Sequence, residues 1–115
     1  MDIEADADRP YPYEGPESLR APIERALRRV VDPEIAMTIV DVGLVYRVEV
    51  RDDLVRVRMT TTSTACPATE LIVHDVRTEL ENALPSRYAV EVECVREPAW
   101  SPERMSARAK AFMGW

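Results

Sequence analysis

Cysteine, histidine, lysine and glycine are all scarce in this 115-residue chain. The two cysteines, Cys66 and Cys94, form no CxxC pair and follow no secretory signal. A disulfide-stapled secreted scaffold is thereby excluded, and a reducing, cytoplasmic setting is expected. Only Lys110 is a lysine, so arginine carries nearly all the positive charge, and it is outnumbered: 15 basic residues face 21 acidic ones, a net charge of −6. That balance excludes a general nucleic-acid binder, which needs a basic footprint, and attachment to an anionic membrane surface. No apolar run approaches the length that spans a bilayer. No Gly-rich loop ending in Lys-Ser or Lys-Thr is present, so there is no P-loop for nucleotide phosphates. Internal repeats and low-complexity segments are also lacking.

What remains is a hydrophobic content of 46% beside 31% charged residues, the composition of one globular domain. Residues 1–16 are acidic and then rich in Pro and Tyr without periodicity, and read as a flexible arm. Residues 17–115 read as the domain. Ile23, Ala26, Leu27 and Val30 set one apolar stripe of a helix expected from about Pro22 to Val31, which Pro33 ends. Tyr46, Val48 and Val50 alternate with Arg47, Glu49 and Arg51 in a strand expected over 45–51, and Asp52-Asp53 supplies a hairpin turn. The return strand is expected from Leu54 to about Thr62, with Val55, Val57, Met59 and Thr61 on one face and Arg56 and Arg58 on the other. A second helix follows over about 67–83, with Ile72 (or Val73), Val76, Leu80 and Ala83 buried and the lone His74 on its surface, four residues after Glu70. A third strand is expected over 89–96, with Val90, Val92 and Cys94 facing the core, and a last helix opens at Pro102 with Ser101 as its N-cap.

The order α-β-β-α-β-α predicts a two-layer α/β (α+β) domain with helices on one face of a small mixed three-stranded sheet. The hairpin makes the first two strands antiparallel, and the crossover through the second helix makes the third parallel to the second. This topology brings the end of the second strand, the start of the first and the end of the third to one edge, where ligand sites gather. The stretch at that edge is Thr60-Thr61-Thr62-Ser63-Thr64-Ala65-Cys66-Pro67. With Cys66 as N-cap and Pro67 at the first helical position, the positive end of the helix favours a thiolate, so Cys66 is expected to be acidic and reactive. The plainer alternative is a small packing residue in a tight loop. Thr62, Ser63, Thr64 and Glu70 are expected to support Cys66, with Asp32, Glu34 and Asp41 as carboxylate candidates and Cys94 as a second thiol. Asp32-Pro33-Glu34 reads first as a helix-stop turn, and Gly43 as a positive-φ bend or a close backbone approach. Trp100 reads as a packing plug or, if exposed, a partner contact.

Four blocks, in order, resemble a known family. Asp32-Pro33-Glu34-Ile35, Ile39-Val40-Asp41-Val42-Gly43-Leu44-Val45-Tyr46, Met59-Thr60-Thr61-Thr62 through Ala65-Cys66-Pro67, and Trp100-Ser101-Pro102-Glu103-Arg104-Met105-Ser106 are similar to the SufT/PaaD-type metal–sulfur cluster assembly family in its stand-alone form. Val42 stands where that family has Leu, Ser63-Thr64 stands where a Thr-Pro pair is common, and the cysteine-rich C-terminal extension of PaaD-type members is absent. The resemblance implies a non-catalytic factor for iron–sulfur cluster assembly, with Cys66 as cluster ligand and an assembly scaffold and apo-client proteins as partners. One strong thiolate per chain falls short of the usual four-thiolate shell, which implies a labile cluster, one shared between chains of a homodimer, or none at rest. Two other readings stay open: a small cysteine-dependent enzyme or redox thiol protein using Cys66, for which no evident general base exists besides Glu70 or a neighbouring carboxylate, and a metal-free interaction adaptor.

Overall fold

The computed structural model describes residues 11–33, 35–62 and 69–114. Its elements are β1 (Tyr13–Glu14), α1 (Glu17–Leu27), β2 (Val31–Asp32), β3 (Met37–Thr38), α2 (Ile39–Val42), β4 (Val45–Arg51), β5 (Leu54–Met59), α3 (Thr69–Ala83), β6 (Ala89–Cys94), a 3-10 turn at Pro102–Arg104 and α4 (Ala107–Met113). The main sheet has four strands in the order β1-β4-β5-β6, and β2 and β3 form a separate antiparallel pair.

The mixed α/β architecture holds, with one strand more than expected in the main sheet and the β2–β3 pair besides. β4 and β5 are an antiparallel hairpin across Asp52-Asp53, and β6 lies parallel to β5, as the crossover requires. The added strand comes from the segment read as an arm: Tyr13 and Glu14 pair with Val48 and Glu49 in parallel, and Tyr11 is buried in the core. Tyr11 and Tyr13 supply packing surface that periodicity over so few residues does not reveal.

Alternation decides the two faces of the sheet. Val48, Val50, Val55, Val57 and Met59 are buried in one cluster with Ile23, Ala26 and Leu27 of α1 and Ile72, Val76 and Leu80 of α3. On the opposite face Arg56 pairs with Glu91 and Arg58 with Glu93 across the β5–β6 ladder. A register shift between Val45 and Arg47 breaks the expected alternation. Val45 instead of Tyr46 faces the core, because the extra residue of a bulge reverses every side chain before it.

Helix ends also differ from expectation. α1 starts at Glu17, and Pro22 lies inside it. Leu19 extends the apolar stripe one turn back, and the carbonyl that Pro22 cannot serve belongs to exposed Ser18, where water reaches it. Ala83 is exposed, and Leu84 takes the inward position at the end of α3. Ser101 makes no side-chain cap; the last helix begins later, and Ser106 Oγ accepts the Ala109 N–H at 3.1 Å.

Candidate functional site

Of the residues expected at the site, Glu34, Ser63, Thr64 and Cys66 lie outside the described residues, as do Met1–Pro10 of the arm. The others fall into two groups.

The first group surrounds the base of the cysteine segment. β5 ends at Met59, which is level with Val45 on one side and Cys94 on the other. Thr60 is buried, and its N–H donates to the Leu44 carbonyl at 2.9 Å, so the start of β4 and the end of β5 stay in register beyond the strands. Thr69 Oγ donates to Thr61 Oγ at 3.5 Å, linking the end of the strand to the first residue of α3. Thr62 is half-buried and Glu70 exposed. The chain thus enters and leaves the segment containing Cys66 at one place on the sheet edge, where the end of β6 also arrives.

Cys94 is exposed there and is the free thiol among the described residues, contrary to its expected place in the core. β6 is the last strand of the sheet, and α3 covers Val90 and Val92 only partly. Partial desolvation pushes the Cys94 thiol up, with Arg96 opposing, so it is no activated nucleophile. His74 is exposed as expected, but no ion pair joins it to Glu70 among the described residues.

The second group is built on α2. Thr38 caps that short helix by accepting the Asp41 N–H at 3.1 Å. The Asp41 carboxylate accepts hydrogen bonds from Ser106 Oγ at 3.1 Å and Thr38 Oγ at 3.2 Å, and sits 3.5 Å from Arg28 and 3.4 Å from Arg108. Burial alone would raise its pKa; the hydroxyl donors and the two guanidiniums overcome it and hold the carboxyl below the usual 3.8. Asp41 therefore ties α1, α2 and the C-terminal segment together and is engaged on both oxygens.

Gly43 follows at φ +83°, and a Cβ added there would lie 2.2 Å from the Arg104 carbonyl oxygen. Both expected reasons for a glycine apply, a left-handed turn and a close backbone approach. Trp100 donates its indole N–H to the Val42 carbonyl at 2.7 Å and packs half-buried on the core. Tyr46, turned outward by the bulge, donates its hydroxyl to the Pro98 carbonyl at 2.6 Å, and the Arg104 guanidinium covers its ring at 4.4 Å. The second and fourth sequence blocks are thus two sides of one contact.

Asp32 is buried in β2, with its carbonyl accepting the Ala36 N–H at 2.7 Å around a tight turn in which Ala36 takes φ +63°. No buried side-chain polar atom among the described residues lacks a hydrogen-bond partner. No three His, Cys, Asp or Glu side chains among the described residues converge to hold a metal. A groove of about 260 Å³ between the β2–β3 hairpin and α4, lined by Val31, Met37, Asp41, Arg108 and Phe112 among others, was not foreseen. Its one sequence signal is Phe112, the only phenylalanine, which is 75% exposed. No helix of the described residues is long and apolar enough to cross a membrane.

Comparison with known proteins finds relatives along most of the chain. The chain is 41% identical over 99 residues to the Fe-S protein maturation auxiliary factor YitW of Bacillus subtilis, covering 85% of this chain and 96% of that protein. It is 42% identical over 86 residues to the Fe-S protein maturation auxiliary factor SufT of Staphylococcus aureus, covering 74% of this chain and 97% of that one. A crystal structure of a domain of unknown function, DUF59, from Bacillus anthracis superposes with a TM-score of 0.79 at 38% identity, covering 85% of this chain and 93% of that one. Residues 20–94, which carry most of α1 and all of α2, α3 and β2 to β6, match the family described as iron–sulfur cluster assembly protein, and the chain belongs to that family.

Proposed function

We propose that this protein is a maturation factor that helps deliver iron–sulfur clusters to apo-proteins in the cytoplasm, with the cluster as cargo and Cys66 as the thiolate that engages it. The observation that carries the reading is similarity along nearly the whole length of relatives named Fe-S protein maturation auxiliary factors. Physical chemistry supports the choice of Cys66. It precedes a fifteen-residue helix by three positions, and a helix N-terminus favours a thiolate. Thiolates are the usual cluster ligands.

One such thiolate per chain leaves the shell to be completed from outside, by a second copy in a homodimer or by cysteines of the scaffold or client. That incompleteness suits transfer, because a cluster held by few protein ligands exchanges readily to a site that offers four. Asp41 and Trp100, both spent on internal contacts, serve in this reading to hold the fold that presents the segment.

Anaerobic reconstitution with iron and sulfide, followed by transfer to an apo-ferredoxin, tests the reading. The expected result is visible cluster absorption and stoichiometric iron in the wild type, lost in Cys66→Ala, with Cys94→Ala unchanged. Equal iron binding and equal transfer by wild type and Cys66→Ala would remove Cys66 from the role.

A further inference from the structure

We propose that the free edge of β6 is a docking site for an extended protein segment carrying Lys or Arg at alternate positions, added as a fifth strand. The site is separate from the Asp41 cluster and does not depend on Cys66.

β6 ends the sheet, pairing with β5 alone. Ala89 donates its N–H to Asp53 at 2.8 Å and Val95 donates to Met59 at 2.8 Å, so the odd-numbered residues face β5. With a period of two, the backbone groups of Val90, Val92 and Cys94 point away from the sheet, and no backbone hydrogen bond reaches them among the described residues. Such a row of free donors and acceptors is a template for strand addition. The opposite edge is short, since β1 is only two residues long. β6 has six residues and no proline.

Charge selects the occupant. Across the polar face of the sheet the aligned rows are Glu49, Arg56, Glu91 and Arg47, Arg58, Glu93. Both rows end on β6 with a carboxylate that meets one arginine on its inner side and solvent on its outer side. The next position in each row calls for a cation, since opposite charges directly across a ladder stabilise it and like charges do the reverse. A second copy is a poor occupant: two-fold antiparallel pairing centred on residue 91, 92 or 93 sets a glutamate of one strand against a glutamate of the other. On the other face Val90 and Val92 are half-buried, so apolar residues between the cations would extend the core. The net charge of −6 adds long-range attraction for a basic partner.

The test uses the full chain, isotope-labelled, with a blocked octapeptide alternating valine and arginine as probe. Amide exchange of Val90, Val92 and Cys94 is expected to slow by about tenfold or more on binding, because the edge amides gain partners. A peptide of the same composition with its arginines contiguous, and one N-methylated on the edge-facing residues, are each expected to bind about tenfold more weakly. The double variant Glu91→Lys with Glu93→Lys is expected to lose the arginine peptide and to gain one alternating valine and glutamate. Equal binding of the contiguous peptide would mean unspecific charge attraction, and would overturn the proposal. So would protection at amides away from β6, full binding of the N-methylated peptide, or no binding at millimolar peptide. The peptide arms keep the result decisive if the double variant does not fold.

Discussion

Replacing Gly43 with alanine tests whether the contact between the second and fourth sequence blocks holds the fold. The added methyl carbon would lie 2.2 Å from the Arg104 carbonyl oxygen, 2.6 Å from its carbon and 2.8 Å from its Cβ. Ordinary contacts between carbon atoms sit near 3.5–4.0 Å, so the backbone of the 3-10 turn must retreat by roughly an ångström. That turn is held by the Trp100 bond to Val42, by the Ser106 N–H to the Asp41 carbonyl at 2.8 Å, and by Arg104 over Tyr46. Alanine at φ +83° costs about 1–2 kcal/mol in itself, and each hydrogen bond lost costs about 1 kcal/mol. The stiffer unfolded chain returns about 0.5 kcal/mol. The expected loss is about 3 kcal/mol, on the order of 10 °C in Tm, a large part of a stability of about 5–15 kcal/mol. Urea unfolding followed by circular dichroism measures it, with an unchanged slope as the sign that the folded state was the one affected. Gly43→Asn separates the two causes, because asparagine tolerates the left-handed region and alanine does not. The collision predicts that both variants fail alike. A loss under about 1 kcal/mol for alanine, or substantial recovery with asparagine, would refute the argument that the Arg104 backbone excludes a side chain here.

Asp41 gives a pH signature. Its carboxyl is held below 3.8 in the folded state, so the unfolded chain binds the proton more readily; the stability it contributes is complete above that value and fades as the pH falls below it. Asp41→Asn is expected to cost about 1–2 kcal/mol at neutral pH and to flatten the stability profile below about pH 4, measured by urea titrations. A variant whose acid profile matches the wild type would contradict the assignment. Cys94, in a Cys66→Ala background, is expected to alkylate with iodoacetamide at a rate whose pH midpoint lies above the ordinary thiol value of 9.0, because desolvation raises its pKa. A midpoint below that value would show that Cys94 is activated after all.

The alternation of Val48, Val50, Val55, Val57 and Met59 with arginine and glutamate, and the stripe of Ile23, Ala26 and Leu27, set strand faces and helix face by periodicity alone. Asp52-Asp53 and the crossover through α3 then left little freedom in strand direction. These features were legible in the sequence because each depends on residues within a few positions of one another. The exposure of Cys94 was not legible, because whether Val90, Val92 and Cys94 face a deep core depends on how far α3 extends over the last strand. Nor was the Tyr46 reversal, since a one-residue bulge leaves no mark in the pattern until the partner strand is in place. Tyr11 and Tyr13 joined the fold through contacts with β4 and α1 that a short Pro-flanked segment does not announce.

The roles of Asp41 and Trp100 belong to tertiary structure in the same way. In the sequence Asp41 stood among the ligand candidates, a carboxylate near a cysteine loop, and Trp100 read as a packing plug or a partner contact. Ser106 and Val42, 65 and 58 residues away, turn them into internal fasteners. Local spacing thus determined the two long helices, the hairpin and the last strand, and most of the faces they bury, since helix and strand periods are properties of neighbours in the chain. Only the fold could decide which polar groups are consumed in holding the molecule together, because a hydrogen bond between distant segments exists only once those segments meet.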